Sequence, residues 1–298
     1  MSATRVARRD MVRKGLRRRA RLLAEAFRPP VRRSGAPDGL SPEDPAGDGK
    51  CTVPRAPRLV DSPVFVLSPV RSGSTLLRVL LNSHSQIRAP HEMHLRTVQV
   101  RLARDFTAAA MRELQLDKQE LEHILWDRVL HLELERSGKR LIVDKTPANT
   151  LAWQRVARCW PNARFLFLRR HPAAVVGSLM NRRDGAGRAE VLEEVTDYAE
   201  HLEEAGRALP GLTVAYEELT AEPERVTREI CDFLGVPWEP GLLEYGRLDH
   251  GPYRPQLGDW SGNIMSGRIQ PARPVTAEEN ALLTEDLRKI AARWGYRV

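Results

Sequence analysis

Five short strand-like runs, each parted from the next by a helical pattern, constrain this chain more than any other feature. The runs are Val64–Leu67, Gln86–Ala89, Leu141–Val143, Phe165–Leu168 and Leu212–Ala215. Helical patterns fall at Ser74–Ser83, Lys118–Glu135, Thr150–Cys159, Ala173–Asn181, Glu190–Ala208, Pro223–Leu234 and Ala277–Trp294. Pro223 in a first turn and Gly235 just past a last one agree with the start and stop rules for helices. Strands alternating with helices build βαβ units. The expected fold is α/β, three layers with a parallel central sheet flanked by helices.

Each run is followed by a residue suited to an anion or a proton: Arg71 with Ser72-Gly73-Ser74-Thr75, then Glu92, Lys145, Arg170 and Tyr216. Open parallel sheets bind ligands outside the carboxyl ends of their strands, so these positions are expected to share one cleft. The first segment, Val64 to Leu77, reads as strand, loop and helix start. Gly73 lets the backbone approach an anion, and the amides of Ser74 and Thr75 open a helix whose N-terminus favours negative charge. The hydroxyls of Ser72, Ser74 and Thr75 add donors, and Arg71 adds a fixed positive charge. The fold is P-loop-like in this sense, but the nucleoside-triphosphate pattern G-x-x-x-x-G-K-[ST] is not met. Ser74 rather than Lys precedes Thr75, and Ser68 stands where the first Gly belongs. A plain Ser/Gly turn capping a helix would leave Arg71 without a role.

With its loop Arg71 to Thr75, the chain resembles the superfamily of sulfotransferases that use PAPS (3′-phosphoadenosine 5′-phosphosulfate) as donor. Within it, the chain is most similar to the branch of protein-tyrosine sulfotransferases and their bacterial relatives. The resemblance runs from about Val64 to Arg273. It implies that Arg71, Ser72, Gly73, Ser74 and Thr75 hold the 5′-phosphosulfate. Leu168 to Ser178 is similar to the family's 3′-phosphate motif, which implies that role for Arg170 and Ser178, with Arg182 one turn further on. Ala215-Tyr216-Glu217-Glu218-Leu219 resembles a segment whose Tyr contacts adenine; a ring packed in the core is the alternative for Tyr216. Asn263 to Pro271 resembles a late loop over the nucleotide, which implies that Ser266, Gly267 and Arg268 donate to the 3′-phosphate. Leu76 stands where cytosolic members place a stacking Trp, and the paired cysteines and membrane anchor of the secretory tyrosine enzymes have no counterpart.

A sulfuryl acceptor needs a base within hydrogen-bond reach. In Arg88-Ala89-Pro90-His91-Glu92-Met93-His94, the resemblance implies that Glu92 is this base, with His91 and His94 as competitors. In Val143-Asp144-Lys145-Thr146-Pro147 it implies that Lys145 stabilises the oxygen left behind on PAP, the bisphosphate product, and that Asp144 orients Lys145. A sulfuryl group carries less negative charge than a terminal phosphate, so Arg and Lys can serve in place of a metal, and no metal is expected. The acceptor is a hydroxyl on a small molecule, lipid, glycan or peptide tyrosine. The segments Arg96 to Glu135 and Arg247 to Asn263, with Trp260, are expected on the acceptor side. The competing reading is a P-loop small-molecule kinase or nucleotide-binding protein, which would require magnesium.

The net charge of +8 suggests a nucleic-acid partner until it is located. Met1 to Arg33 carries twelve Lys or Arg against Asp10 and Glu25, a charge of +10, which leaves −2 for the other 265 residues. No specific nucleic acid is therefore expected. Residues 1–28 read as a basic amphipathic helix or tail, 29–58 as a flexible Pro/Gly-rich linker, and 59–298 as the sulfotransferase domain. The tail is suited to an anionic membrane surface or another polyanion, and a protein that only binds such surfaces is a third reading. No run approaches the roughly 20 apolar residues of a membrane span. Cys51, Cys159 and Cys231 are too few and too scattered for a disulfide framework, so the expected location is cytoplasmic, with a peripheral membrane contact through the tail.

Overall fold

The computed structural model describes residues 56–182, 187–251, 257 and 262–298. The basic segment at Thr4–Phe27, most of the linker and Trp260 lie outside the described residues. Five strands, β1 Val64–Leu67, β2 Ile87–Arg88, β3 Leu141–Asp144, β4 Arg164–Arg169 and β5 Gly211–Ala215, form one sheet in the order β2-β3-β1-β4-β5. Every pairing is parallel, with Val64 opposite Val143 and Arg164, and Leu166 opposite Leu212. The expected α/β fold with a parallel central sheet is therefore the observed one.

The helices are α1 Ser74–Asn82, α2 Asp105–Glu113, α3 Lys118–Ser137, α4 Trp153–Cys159, α5 Pro172–Met180 and α6 Arg188–Ala208. They are followed by α7 Tyr216–Ala221, α8 Pro223–Leu234, α9 Gly262–Met265, α10 Ala277–Ala281 and α11 Glu285–Arg293. Strand alternation sends neighbouring side chains to opposite faces, and the core follows it. Val64, Val66, Leu166 and Leu168 pack with Leu77, Leu80 and Leu81 of α1 and with Val226, Ile230 and Leu234 of α8. Phe65, Leu67, Phe165 and Phe167 face the other way, onto Trp126 and Leu130 of α3, Val156 of α4 and Leu202 and Ala205 of α6. A sheet covered on both faces reads as near-continuous apolar runs, as β1 and β4 do.

Two expectations about helices need correction. The helix expected over Thr150–Cys159 begins as a 3-10 turn, Pro147–Ala152, before α4. The one expected over Ala277–Trp294 is two: Thr276 caps α10 with a capping box, and Thr284 starts α11 by accepting from the Leu287 amide at 3.3 Å. Tyr216 directly follows β5, as expected, and is the first residue of α7. Among the described residues no helix is long and apolar enough to cross a membrane.

Candidate active site

Parallel pairing brings all five carboxyl ends to one edge of the sheet, and the strand order decides which loops become neighbours. The loop after β1 turns sharply: Arg71 and Gly73 both adopt left-handed backbone, with φ of 63° and 82°. Gly73 caps α1, and a Cβ there would stand 2.2 Å from the Tyr216 ring, so the position has no room for a side chain. Ser72 is fully buried and its Oγ has no hydrogen-bond partner among the described residues. Ser74 and Thr75 are buried in the first turn of α1. A helix N-terminus that presents a buried hydroxyl without a partner, beside a glycine that admits close approach, fits a bound phosphate or sulfate group.

On the β4 side, Arg170 Nη1 donates to the Arg71 carbonyl at 2.8 Å, and its guanidinium lies 4.6 Å from the centre of the Tyr216 ring. Its Nε is buried and without a partner among the described residues. Burial pushes the Arg170 pKa down, against the opposing pull of Tyr216 and Glu217. Arg71 Nε donates to Ser178 Oγ at 3.2 Å. The structure thus brings together Arg71, Arg170, Ser178 and half-buried Tyr216. Arg182 is exposed beyond the end of α5.

On the other side, the loop after β2 meets the end of β3. Lys145 is 0% exposed, and its Nζ pairs with Glu92 Oε1 and donates to Thr75 Oγ1 at 3.4 Å. Burial pushes the Lys145 pKa down, and the Glu92 carboxylate opposes that shift. Glu92 keeps 13% of its side chain exposed, and Oε2 lies 3.6 Å from His94 Nε2. His91 is exposed, with Nδ1 3.1 Å from the Glu92 carbonyl.

One expectation is not met, and one turn makes its contacts within the protein. Asp144 does not bond Lys145: its oxygens accept from Thr146 Oγ1 and Asn149 Nδ2, both at 2.8 Å. Ser266 Oγ donates to the Asn263 carbonyl at 2.6 Å and accepts the Arg268 amide at 3.3 Å, while Gly267 packs on Gly246. Among the described residues, the polar contacts of that turn do not include Arg170 or Ser178. Just past that segment, Arg273 pairs with Glu279, and its charge adds, after burial and Arg71, to the lowering of the Arg170 pKa. The Glu279 carboxylate in turn lies against Gly177, beside Ser178. Sequence reading passed over Arg273 and Thr146; the second stood in plain view, next to Lys145 at a strand end.

The profile of the sulfotransferase family matches residues 63–240, the stretch that holds the sheet and both halves of this cleft. The chain belongs to the sulfotransferase family. It is 29% identical over 205 residues to an uncharacterized protein of Aquifex aeolicus, a match covering 61% of this chain and 26% of the relative. It is 25% identical over 205 residues to the protein-tyrosine sulfotransferase of Drosophila melanogaster, covering 63% and 41%. With protein-tyrosine sulfotransferase 1 of Danio rerio it is 26% identical over 206 residues, covering 62% and 56%. The chain therefore spans about half or less of the length of these relatives. The fold is shared with the sulfotransferase domain from the curacin biosynthetic pathway (TM-score 0.58, 24% identity, 80% of this chain and 99% of that one). It is shared also with the sulfotransferase domain of the Synechococcus PCC 7002 olefin synthase (TM-score 0.57, 24% identity, 80% and 97%).

Proposed function

We propose that this sulfotransferase moves a sulfuryl group from PAPS to an acceptor hydroxyl, with Glu92 as general base and Lys145 beside the leaving oxygen. The observation that carries the proposal is the Glu92–Lys145 pair held against Thr75 at the mouth of the phosphate loop. PAPS, when bound, supplies a sulfuryl group on a phosphate leaving group. The buried hydroxyl of Ser72, the helix start at Ser74 and Thr75, and Arg71 form the 5′-phosphosulfate cradle. Arg170 and Ser178 bind the 3′-phosphate, Arg182 is assigned there by resemblance, and Tyr216 flanks the base.

The carboxylate divides its labour. Oε1 is engaged by Lys145, so Oε2, on the His94 side, is the oxygen that takes the acceptor's proton. As the acceptor oxygen bonds to sulfur, Lys145 faces the negative charge growing on the phosphate oxygen that departs. Desolvation strengthens that interaction, because a buried ammonium acts through a low dielectric. Of the assignments by resemblance, Ser266, Gly267 and Arg268 draw least support, and Arg273 fits the 3′-phosphate corner better.

Calorimetry with PAP, ATP and GTP, each with magnesium or with EDTA, tests the proposal. PAP is expected to bind well without magnesium and the triphosphates weakly. Tighter, magnesium-dependent ATP binding would overturn it in favour of a kinase.

A further inference from the structure

The loop bearing Glu92 is gripped by the residue that follows Lys145. Thr146 is fully buried, and its Oγ1 donates its one proton to Asp144 Oδ1 at 2.8 Å. With that proton committed, the hydroxyl can only accept, and it has two lone pairs to offer. It takes the Met93 amide at 3.2 Å and the His94 amide at 3.4 Å. Asp144, itself fully buried, spends its other oxygen on Asn149 Nδ2. The amides can only donate, so the Thr146 proton goes to Asp144, and the bonds from Thr146 and Asn149 to Asp144 are buried from water.

Thr146 precedes Pro147 and opens a 3-10 turn, a place where a hydroxyl often caps its own helix. Its side chain makes no such bond here. It reaches instead to the neighbouring strand's loop. There, His94 sits in left-handed backbone at φ 50°, a conformation uncommon for a residue other than glycine. The two amides that Thr146 holds belong to His94 and to the residue between it and Glu92.

We propose that Thr146 is a positioning residue for Glu92: β3 grips the carboxylate through Lys145 and grips its backbone through the next side chain, with Asp144 orienting the hydroxyl. The inference rests on the reading of Glu92 as the base, and hydrogen exchange separates the two. The experiment compares the full chain, Thr146→Val and Thr146→Ser, each with PAP bound. The Val variant is expected to exchange the amides of Ala89–Thr97 about three- to tenfold faster, as the loss of a net hydrogen bond implies. The Ser variant keeps the hydroxyl and is expected to restore protection, and exchange in β1 is expected to stay unchanged in both. PAP release from PAPS, with simple phenols or water as acceptor, is expected to fall about 10–100-fold in the Val variant, because a small misplacement of a reacting group costs that much. The KM for PAPS is expected to hold, and Thr146→Ser to recover most of the rate. Unchanged exchange at Ala89–Thr97 in Thr146→Val, or faster exchange across the whole protein that Ser does not rescue, would overturn the inference. Undiminished PAP release by Glu92→Gln would instead overturn the base reading, while leaving the exchange result on Thr146 intact.

Discussion

Replacing Gly73 by alanine puts a methyl group where the Tyr216 ring already lies. The residue keeps φ 82°, so the new Cβ first incurs the left-handed penalty of roughly 1–2 kcal/mol. It then meets ring carbons at 2.2 and 2.3 Å, where ordinary contact begins near 3.4 Å, so the ring must retreat by about 1 Å. Tyr216 is not free to do so, because the Arg170 guanidinium lies over it and Arg170 is bonded to the Arg71 carbonyl. Overpacking of this kind costs roughly 1–3 kcal/mol. Gly73→Ala is thus expected to destabilise the protein by about 2–5 kcal/mol, lowering Tm by roughly 4–20 °C for a domain of this size. Differential scanning calorimetry of Gly73→Ala, Tyr216→Ala and the double variant separates the two causes. The double variant is expected to recover the clash but not the backbone penalty, giving a coupling of about 1–3 kcal/mol. A Tm for Gly73→Ala equal to that of the parent, or additive losses in the double variant, would refute the account of the loop.

Glu92→Gln is expected to lower turnover roughly 10²–10⁴-fold, the usual loss for a general base, with PAP affinity by calorimetry within about threefold of the parent. His123 gives a pH test: burial first, then Arg155, Arg58 and Arg158, push its pKa from 6.5 down to about 3. The folded protein holds it neutral, with Nε2 accepting from Arg155 Nε at 3.3 Å, while the unfolded chain protonates it below 6.5. Its contribution is present above pH 6.5 and is lost as pH falls toward 3, about 2 kcal/mol at pH 5. Denaturant melts of the parent and His123→Gln are expected to show the parent losing about 2 kcal/mol more unfolding free energy between pH 7 and pH 5, and equal losses would count against it.

The sheet was legible because β1 and the middle of β4 are buried on both faces and so are written as unbroken apolar runs; every strand was located to within one residue at either end. The expectation of one shared cleft followed from parallel geometry alone, and it brought Arg71, Arg170 and Tyr216 together, and Glu92 with Lys145. Helix α2 was missed because none of its residues is buried, so it carries no apolar stripe to read. The break between α10 and α11 was signalled by Thr284-Glu285-Asp286-Leu287, a cap sequence masked by continuous helical composition on both sides. Ser266 to Arg268 were assigned by resemblance across a stretch where spacing is loose. Their turn closes on itself and on Tyr245, whose hydroxyl donates to the Arg268 carbonyl at 3.0 Å. Thr146 escaped notice because its role depends on which strands are neighbours, and a linear reading does not say that β2 lies beside β3.

That adjacency has a consequence for how such a protein can be redesigned. Everything between α1 and β3, the Glu92 loop with α2 and α3, is one continuous stretch of chain entering at Asn82 and leaving at Leu141. The cradle residues lie outside it, on the loops after β1, β4 and β5. The stretch carries β2 and ends at the first residue of β3, so it can be exchanged as a cassette when β2 keeps its register on β3, Ile87 with Leu141 and Arg88 with Ile142. A transplant that keeps that register and Glu92 leaves the carboxylate against Lys145 and its loop against Thr146 while replacing the chain around them.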